Sequence, residues 1–483
     1  MNFLLILKVI GTVLRLEAVL MVLPLIVSIA YSAGDWMYFV YTMIPLFILG
    51  MCLSRIKPPR TEFRAKEGCV TVALSWIVMS IFGAIPFYIS GYFPTFIDCF
   101  FETVSGFTTT GSTILTDVEA VPKGLIFWRS FTHWIGGMGV LVFVLAIMPN
   151  LNGSAIQLLR AESPGPTPGK VLPKIRESSK LLYQIYFVMS VAQVILLLLT
   201  GLSLYDSLIT MMGSAGTGGF SNMNLSVGGY NNIPAEVVTT IFMMLFGVNF
   251  NIYYFMVSKQ FGLVKSNEEF KAYFLIAGVS MLLIAFNIMP MYDNSFLQAL
   301  RHSTFQVSTI MTTTGYSTTD FNLWPMFSKV ILVLLMIIGA SAGSTGGGIK
   351  VSRLLILFKA IRREIGLIIH PRRVQSVKLE GEVLGDRVLT NVIVFLATYA
   401  LLALVSILLV SIDGYDFEAT VTAVISALGN IGPALSIAGP MGNFSMFSGF
   451  SKLVLSFCML AGRLEIFPMF LLFSPRVWRK KAL

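Results

Sequence analysis

Ten stretches of this chain are almost unbroken apolar sequence of membrane-crossing length, near residues 3–33, 36–54, 68–92, 125–150, 180–202, 233–258, 270–292, 327–364, 388–412 and 451–474. A hydrocarbon core about 30 Å thick takes about 20 helical residues to cross. Inside it every backbone N–H and C=O must be satisfied by protein, which restricts a chain built this way to helices. With 55% hydrophobic and only 12% charged residues, it cannot cover the surface of a soluble domain. An all-α polytopic membrane protein is expected.

The net charge of +10 could suggest nucleic acid, but its placement argues against that partner. Five segments, 55–67, 160–180, 259–271, 350–387 and 476–481, hold 26 of the 34 lysines and arginines. They alternate with segments that hold almost none, which is the positive-inside pattern and puts both termini in the cytoplasm. The opposite-side segments carry only Lys123, Arg129, Arg301, Lys329 and Lys452. The first apolar run lacks a basic leader and a small-residue cleavage signal, so it reads as a retained helix. Cys52, Cys69, Cys99 and Cys458 show no CxxC spacing, so neither a disulfide framework nor a metal knuckle is indicated.

Between paired apolar segments on the outer side lie four stretches too short and polar to span: 95–113, 203–221, 295–317 and 416–434. They align on one glycine each, Gly111, Gly219, Gly315 and Gly432, about a hundred residues apart, as internal repeats do. Thr95, Ser203 and Asp416 each stand sixteen residues before their glycine, and Asp98 and Asp206 follow the first two where a capping box prefers an acid. Three loop helices thus start in register. The third unit's cap, Ser295 with Gln298, falls about one turn earlier and predicts a longer helix.

Irregular backbone at membrane depth is tolerated where it is buried in protein or lines a water-filled cavity. Four such loops imply one shared axis and a pore. Thr109-Thr110-Gly111, Thr217-Gly218-Gly219, Thr313-Thr314-Gly315 and Asn430-Ile431-Gly432 would present carbonyl oxygens that replace a cation's hydration shell. Glycine permits the dihedrals this needs. The loop helices would aim their partially negative C-terminal ends at the same cavity.

Two further features stand apart. The eighth apolar stretch is interrupted by "SAGSTGGGIK" at 341–350, which fits either a loop inside the membrane or a kink with close packing of small residues. Arg463 lies in the middle of the last apolar stretch, where an unpaired arginine costs about 2.5–3.5 kcal/mol on insertion scales, so it must face a polar interior. Glu465 stands on another helical face, so a local ion pair is not expected. His133, His302 and His370 lie in unrelated segments and suggest no metal site, and "SPGPTPG" at 163–169 reads as a loop. No HExxH or similar motif suggests an intramembrane enzyme.

These residues together resemble the Trk/Ktr/HKT superfamily of potassium transporters, most closely its bacterial Trk membrane subunit. The resemblance rests on "TTTGST", "GTGGFS", "TTTGYS" and "LGNIGPAL" in the four loops, and on "HWIGGMG" (133–139), "AESPGPTP" (161–168), "AGSTGGGIK" (342–350) and "GRLEIFP" (462–468). It implies four fused helix–pore loop–helix repeats in pseudo-fourfold arrangement, preceded by two extra transmembrane helices. The units are a helix pair at 1–60 and repeats at 61–158, 159–262, 263–370 and 371–483.

What the resemblance implies further is a homodimer in the bacterial cytoplasmic membrane, each subunit with its own pore for K⁺ uptake and no organic cofactor. A cytosolic nucleotide-binding ring (TrkA-like, with RCK domains) would regulate it, with membrane lipids as the other partner. The filter positions carry over to the twelve residues named above. Glycine at all four third positions points to K⁺, since serine at the first of them accompanies sodium preference in plant relatives. Gly218 and Asn430-Ile431 depart from Thr-Thr, which argues against strict potassium-channel-like selectivity. The gate carries over to Gly343, Ser344, Thr345, Gly346, Gly347, Gly348 and Lys350, with Arg463 beside it. The rival reading, a symporter coupled to H⁺ or Na⁺, needs a second ion site, and deep carboxylates are scarce: Glu17 lies near a helix end and Glu102 on a loop helix.

Overall fold

A computed structural model describes residues 1–59, 63–139, 175–372 and 375–478. The motif at 161–168, the loop at 163–169, the end of the fourth apolar stretch, most of the 160–180 basic segment, and 479–481 lie outside the described residues. Apart from a small hairpin pairing Lys378–Leu379 with Glu382–Val383, the described chain is helical.

Among the described residues, six helices are long and apolar enough to span a membrane: Phe3–Ala30, Trp36–Ser54, Ala65–Ser90, Lys180–Leu199, Glu268–Tyr292 and Asp386–Asp413. They are the N-terminal pair and the first helix of each repeat. The pair packs closely because Gly11 and Gly50 bring the backbones together. A Cβ on Gly50 would stand 2.6 Å from the Arg15 nitrogen. Outward faces such as Leu401, Leu404 and Leu408 are exposed apolar surface, suited to lipid rather than water.

The second helices differ from the ten continuous crossings that the sequence suggests. In the second repeat, Ile233–Phe246 and Phe250–Val257 meet at a 92° bend. The third repeat breaks between Met326–Ile338 and Val351–Ile369, and the fourth between Gly449–Arg463 and Phe467–Phe473. The first ends at Gly137, followed by Gly139 at φ +84°. Apolarity alone expected a break in the third repeat only. The fourth breaks where Glu465 and Ile466 take positive φ values of +57° and +66°, and Pro468, which lacks an N–H, sits in the first turn of the next helix.

The loop helices are Phe96–Phe107, Leu204–Gly216, Phe296–Met311 and Phe417–Gly429. Thr95, Ser203 and Asp416 cap them as expected, accepting from Asp98 N at 3.2 Å, Asp206 N at 3.1 Å and Ala419 N at 3.3 Å. Each cap satisfies an orphan donor and contributes about 1 kcal/mol. The third helix is longer, at 16 residues against 12 or 13, and starts at Ser295, whose side chain caps nothing.

Candidate functional site

Every loop helix ends in the same way. Thr109, Thr217, Thr313 and Asn430 sit in the left-handed region at φ +55°, +54°, +58° and +55°. The next residue's N–H returns to the carbonyl five residues back: Thr110 to Ser105, Gly218 to Gly213 and Thr314 to Thr309 at 2.8 Å, and Ile431 to Ser426 at 3.0 Å. This is a Schellman cap, but with threonine or asparagine where glycine is usual. A β-branched residue in this region is a true outlier, strained by about 1–3 kcal/mol, and such strain gathers at functional sites. The third position then turns left-handed again, at φ +86°, +77°, +87° and +105° for Gly111, Gly219, Gly315 and Gly432.

These glycines form a closed ring. A Cβ added to Gly111 would overlap the Gly218 carbonyl oxygen, one on Gly219 that of Thr314, and one on Gly315 that of Ile431. On Gly432 it would stand 2.8 Å from the Thr110 carbonyl oxygen, which returns the circuit to the first repeat. The twelve residues read from the sequence are thus brought together, each repeat's glycine against the second-position carbonyl of the next. A cavity of about 220 Å³ opens over all four glycines, lined also by Ser112, Ser221 and Ser317.

Charged and polar links clamp the seams between repeats. Lys452, on the fourth repeat's second helix, meets Asp98 of the first loop helix at 2.5 Å. Lys329 of the third repeat meets Glu418 of the fourth loop helix at 3.0 Å, and Glu236 of the second takes a two-pronged bond from Arg301 of the third at 2.7 and 2.8 Å. At the remaining seam, the Tyr205 hydroxyl donates to the Lys123 carbonyl at 2.9 Å, and the Lys123 ammonium lies 5.4 Å from that ring's centre. Arg129 is buried within the first repeat. It donates to Glu102 at 2.6 Å and to the Ser221 carbonyl at 3.1 Å, while Glu102 also accepts from Thr113 Oγ1 at 2.8 Å and Ile114 N at 2.9 Å. The charged groups of Arg129, Arg301, Lys329 and Lys452 therefore serve these links, which sequence reading missed, while Lys123 enters by its backbone carbonyl and sets its ammonium over Tyr31 at 4.3 Å.

The break in the third repeat is a built loop, not a kink. Phe250 N donates to the Gly343 carbonyl at 3.0 Å, and Ser341 N to the Gly247 carbonyl at 3.1 Å, so it docks in the second repeat's bend. Thr345 Oγ1 donates to the Phe246 carbonyl at 3.2 Å. The Glu269 carboxylate accepts from Ala342 N at 2.7 Å and Ser352 N at 3.0 Å, tying both ends of the loop. Gly347 N donates to the Thr313 hydroxyl at 2.7 Å, and a Cβ on Gly347 would overlap the Gly429 carbonyl oxygen, so the loop lies against the ends of the loop helices. Gly348 takes φ +77°, Ser344 and Gly346 lie within the loop, and buried Lys350 donates to the Gly346 carbonyl.

Arg463 reaches the same loop from the fourth repeat. Its guanidinium donates to the Thr345 carbonyl at 2.9 Å and to the Gly137 carbonyl at 2.6 Å, with a further bond to Gly136. It thus joins the loop to the end of the first repeat's second helix. Glu465 takes an ion pair with Arg353, whose guanidinium lies 3.9 Å from the Phe395 ring centre. Among the described residues no group of three or more His, Cys, Asp or Glu side chains converges as metal ligands would.

Known proteins are similar to this chain in sequence and in fold. The family model for TrkH, described as a cation transport protein, matches residues 37–480. The chain is 34% identical to the Trk system potassium uptake protein TrkH of Salmonella typhimurium, over 99% of this chain and all of that one. It is 32% identical to the Trk system potassium uptake protein TrkG of Escherichia coli, covering 97% of each. Its fold is similar to the crystal structure of the potassium transporter TrkH from Vibrio parahaemolyticus, with a TM-score of 0.88 and 32% identity over 99% of this chain. By the family model that matches most of its length and by its identity to these relatives, this chain belongs to the TrkH family of cation transport proteins.

Proposed function

We propose that the protein takes up K⁺ through a channel-like pore on the axis of the glycine ring, with the third repeat's loop as its gate. The observation that carries this reading is the closed ring itself, in which Gly111, Gly219, Gly315 and Gly432 each abut the second-position carbonyl of the next repeat. Alternating signs of φ along each strand turn carbonyls toward one side, where they can replace the water that K⁺ leaves behind. K⁺ is the transported ion, held by backbone oxygens at Thr109, Thr110, Thr217, Gly218, Thr313, Thr314, Asn430 and Ile431 as well as the glycines. The relatives named as potassium uptake proteins support the choice of ion.

Gating follows from the loop's position against the helix ends that face the ring. Arg463 and Lys350 place positive charge beside it, which raises the barrier to a cation where the dielectric is low. Release of the loop from Thr313, Glu269 and Arg463 opens the path. A homodimer with a nucleotide-binding ring on the basic face completes the assembly, in a bacterial cytoplasmic membrane with both termini cytoplasmic. The charge bias and the Trk system names of the relatives support this part.

Current recording on purified protein in planar bilayers with asymmetric K⁺ tests the whole reading. A current that follows the K⁺ gradient is expected, displaced by a Na⁺ gradient only as far as the permeability ratio allows and unmoved by a pH gradient. A reversal potential that follows the pH gradient, or the Na⁺ gradient in a fixed stoichiometric ratio to K⁺, would instead establish coupled symport.

A further inference from the structure

The "HWIGGMG" segment holds a histidine to which the pore reading gives no task. His133 is fully buried on Lys123–Gly137, and its ring lies behind the filter strand of the second repeat. That strand is the one whose second position has no side chain. At the other second positions, the Thr110 hydroxyl pairs with that of Thr108 at 2.8 Å and accepts from Asn430 Nδ2 at 3.0 Å. The Thr314 hydroxyl pairs with that of Thr312 at 2.8 Å, and the Ile431 side chain is buried in an apolar cluster. Gly218 has only its N–H bond to the Gly213 carbonyl and no side chain to brace it.

The imidazole fills the missing volume. A Cβ on Gly218 would overlap the His133 ring at Cγ and Nδ1, and would stand 2.6 Å from Cδ2. Three contacts fix the ring in place. Nδ1 bonds the Gly106 carbonyl at 2.8 Å, at the end of the first loop helix. Phe220 packs on the ring with centroids 4.1 Å apart, itself under the Arg129 guanidinium at 3.4 Å. Gly216 leaves room for the backbone of His133, where a Cβ would overlap the His133 carbonyl oxygen. Because Nδ1 faces a carbonyl it carries the proton, and Nε2 has no hydrogen-bond partner among the described residues. The ring therefore acts on the strand by its shape.

We propose that His133 is a positioning residue of the filter: its imidazole stands in for the side chain absent from Gly218 and fixes the second-position carbonyl of the second repeat. This rests on reading the glycine ring as the filter. Glycine is the residue least able to hold its own dihedrals, so without the ring the Gly218 carbonyl is free to move. That carbonyl is the one against which Gly111 packs.

The test is a reciprocal exchange read by the bi-ionic K⁺/Na⁺ reversal potential, which does not depend on how much protein is active. His133→Ala lowers the permeability ratio roughly tenfold, the change that about 1.4 kcal/mol between the two ions produces. Gly218→Thr, whose side chain collides with the ring, also lowers it, and the double variant recovers most of the wild-type ratio. His133→Phe keeps a flat ring against Gly218 and holds the wild-type ratio, a comparison that stands even if the alanine variant fails to fold. An unchanged ratio in His133→Ala, additive losses in the double variant, or a tenfold fall in His133→Phe overturns the proposal. If Gly111→Ser shifts the ratio and His133→Ala does not, only this proposal fails; if neither does, the filter reading fails with it.

Discussion

The backbone N–H of Gly347 donates to the hydroxyl of Thr313 at 2.7 Å, so the loop in the third repeat's broken helix hangs from a strand of the glycine ring. Thr313 is one of the threonines held in the left-handed region, at φ +58°. This residue thus follows a loop helix, opens a strand of the glycine ring and accepts the loop through its hydroxyl. Thr313→Val removes the acceptor and leaves a half-buried N–H without its partner, a loss of about 1 kcal/mol. Uptake of radioactive rubidium into liposomes without any regulatory partner should rise, and Thr313→Ser, which keeps the hydroxyl, should match the wild type.

Arg463 and Glu269 hold the loop at other points, through Thr345 and through Ala342 with Ser352. Arg463→Ala, Glu269→Ala and a shortening within Ala342–Gly347 should each raise partner-free rubidium uptake, normalised to folded protein. Reduced or unchanged uptake in all three means that the loop is no gate and that Arg463 is only a prop.

The four-repeat frame could be read from the sequence because its determinants are local: caps sixteen residues before a glycine, and apolar runs of membrane length. Left-handed Thr109, Thr217 and Thr313 were not legible, since threonine seldom adopts that conformation and only the tertiary ring imposes it. The bend at Gly247–Asn249 and the break after Arg463 were hidden by their apolar neighbours, which kept the runs at full spanning length. Seam pairs such as Lys452 with Asp98 are 354 residues apart, so no window along the chain contains both partners. The charge count found every basic member of the seams but read them as exceptions to the topology rule. For Gly218 the missing signal lay in His133, on another repeat.

Glu102 and Arg129 are both buried, and the carboxylate also holds Thr113 and Ile114 just beyond Gly111. Removing one partner of such a pair typically costs about 3–5 kcal/mol because the other charge is left uncompensated. Glu102→Gln and Arg129→Met should each lower the thermal unfolding midpoint in detergent. The double variant should be less destabilised than the sum of the two, as a double-mutant cycle would register.

Glu17 is buried against Gly83, and its carboxylate has no hydrogen-bond partner among the described residues. A coupled mechanism needs a carboxylate without a fixed partner, and a simple pore has no use for one. Glu17→Gln should therefore leave both the K⁺ current and its response to a pH gradient unchanged. A response to pH that disappears in this variant would favour symport.

The most direct test of the central claim is the bi-ionic reversal potential of Gly111→Ser. At φ +86°, with its Cβ overlapping the Gly218 carbonyl oxygen, serine must displace a carbonyl of the ring. The account predicts a clear loss of K⁺ over Na⁺ discrimination, with a smaller loss for Gly432→Ser, where the nearest carbonyl oxygen lies 2.8 Å from the added Cβ. An unchanged reversal potential in Gly111→Ser would contradict it, because ions would then be selected somewhere other than the glycine ring.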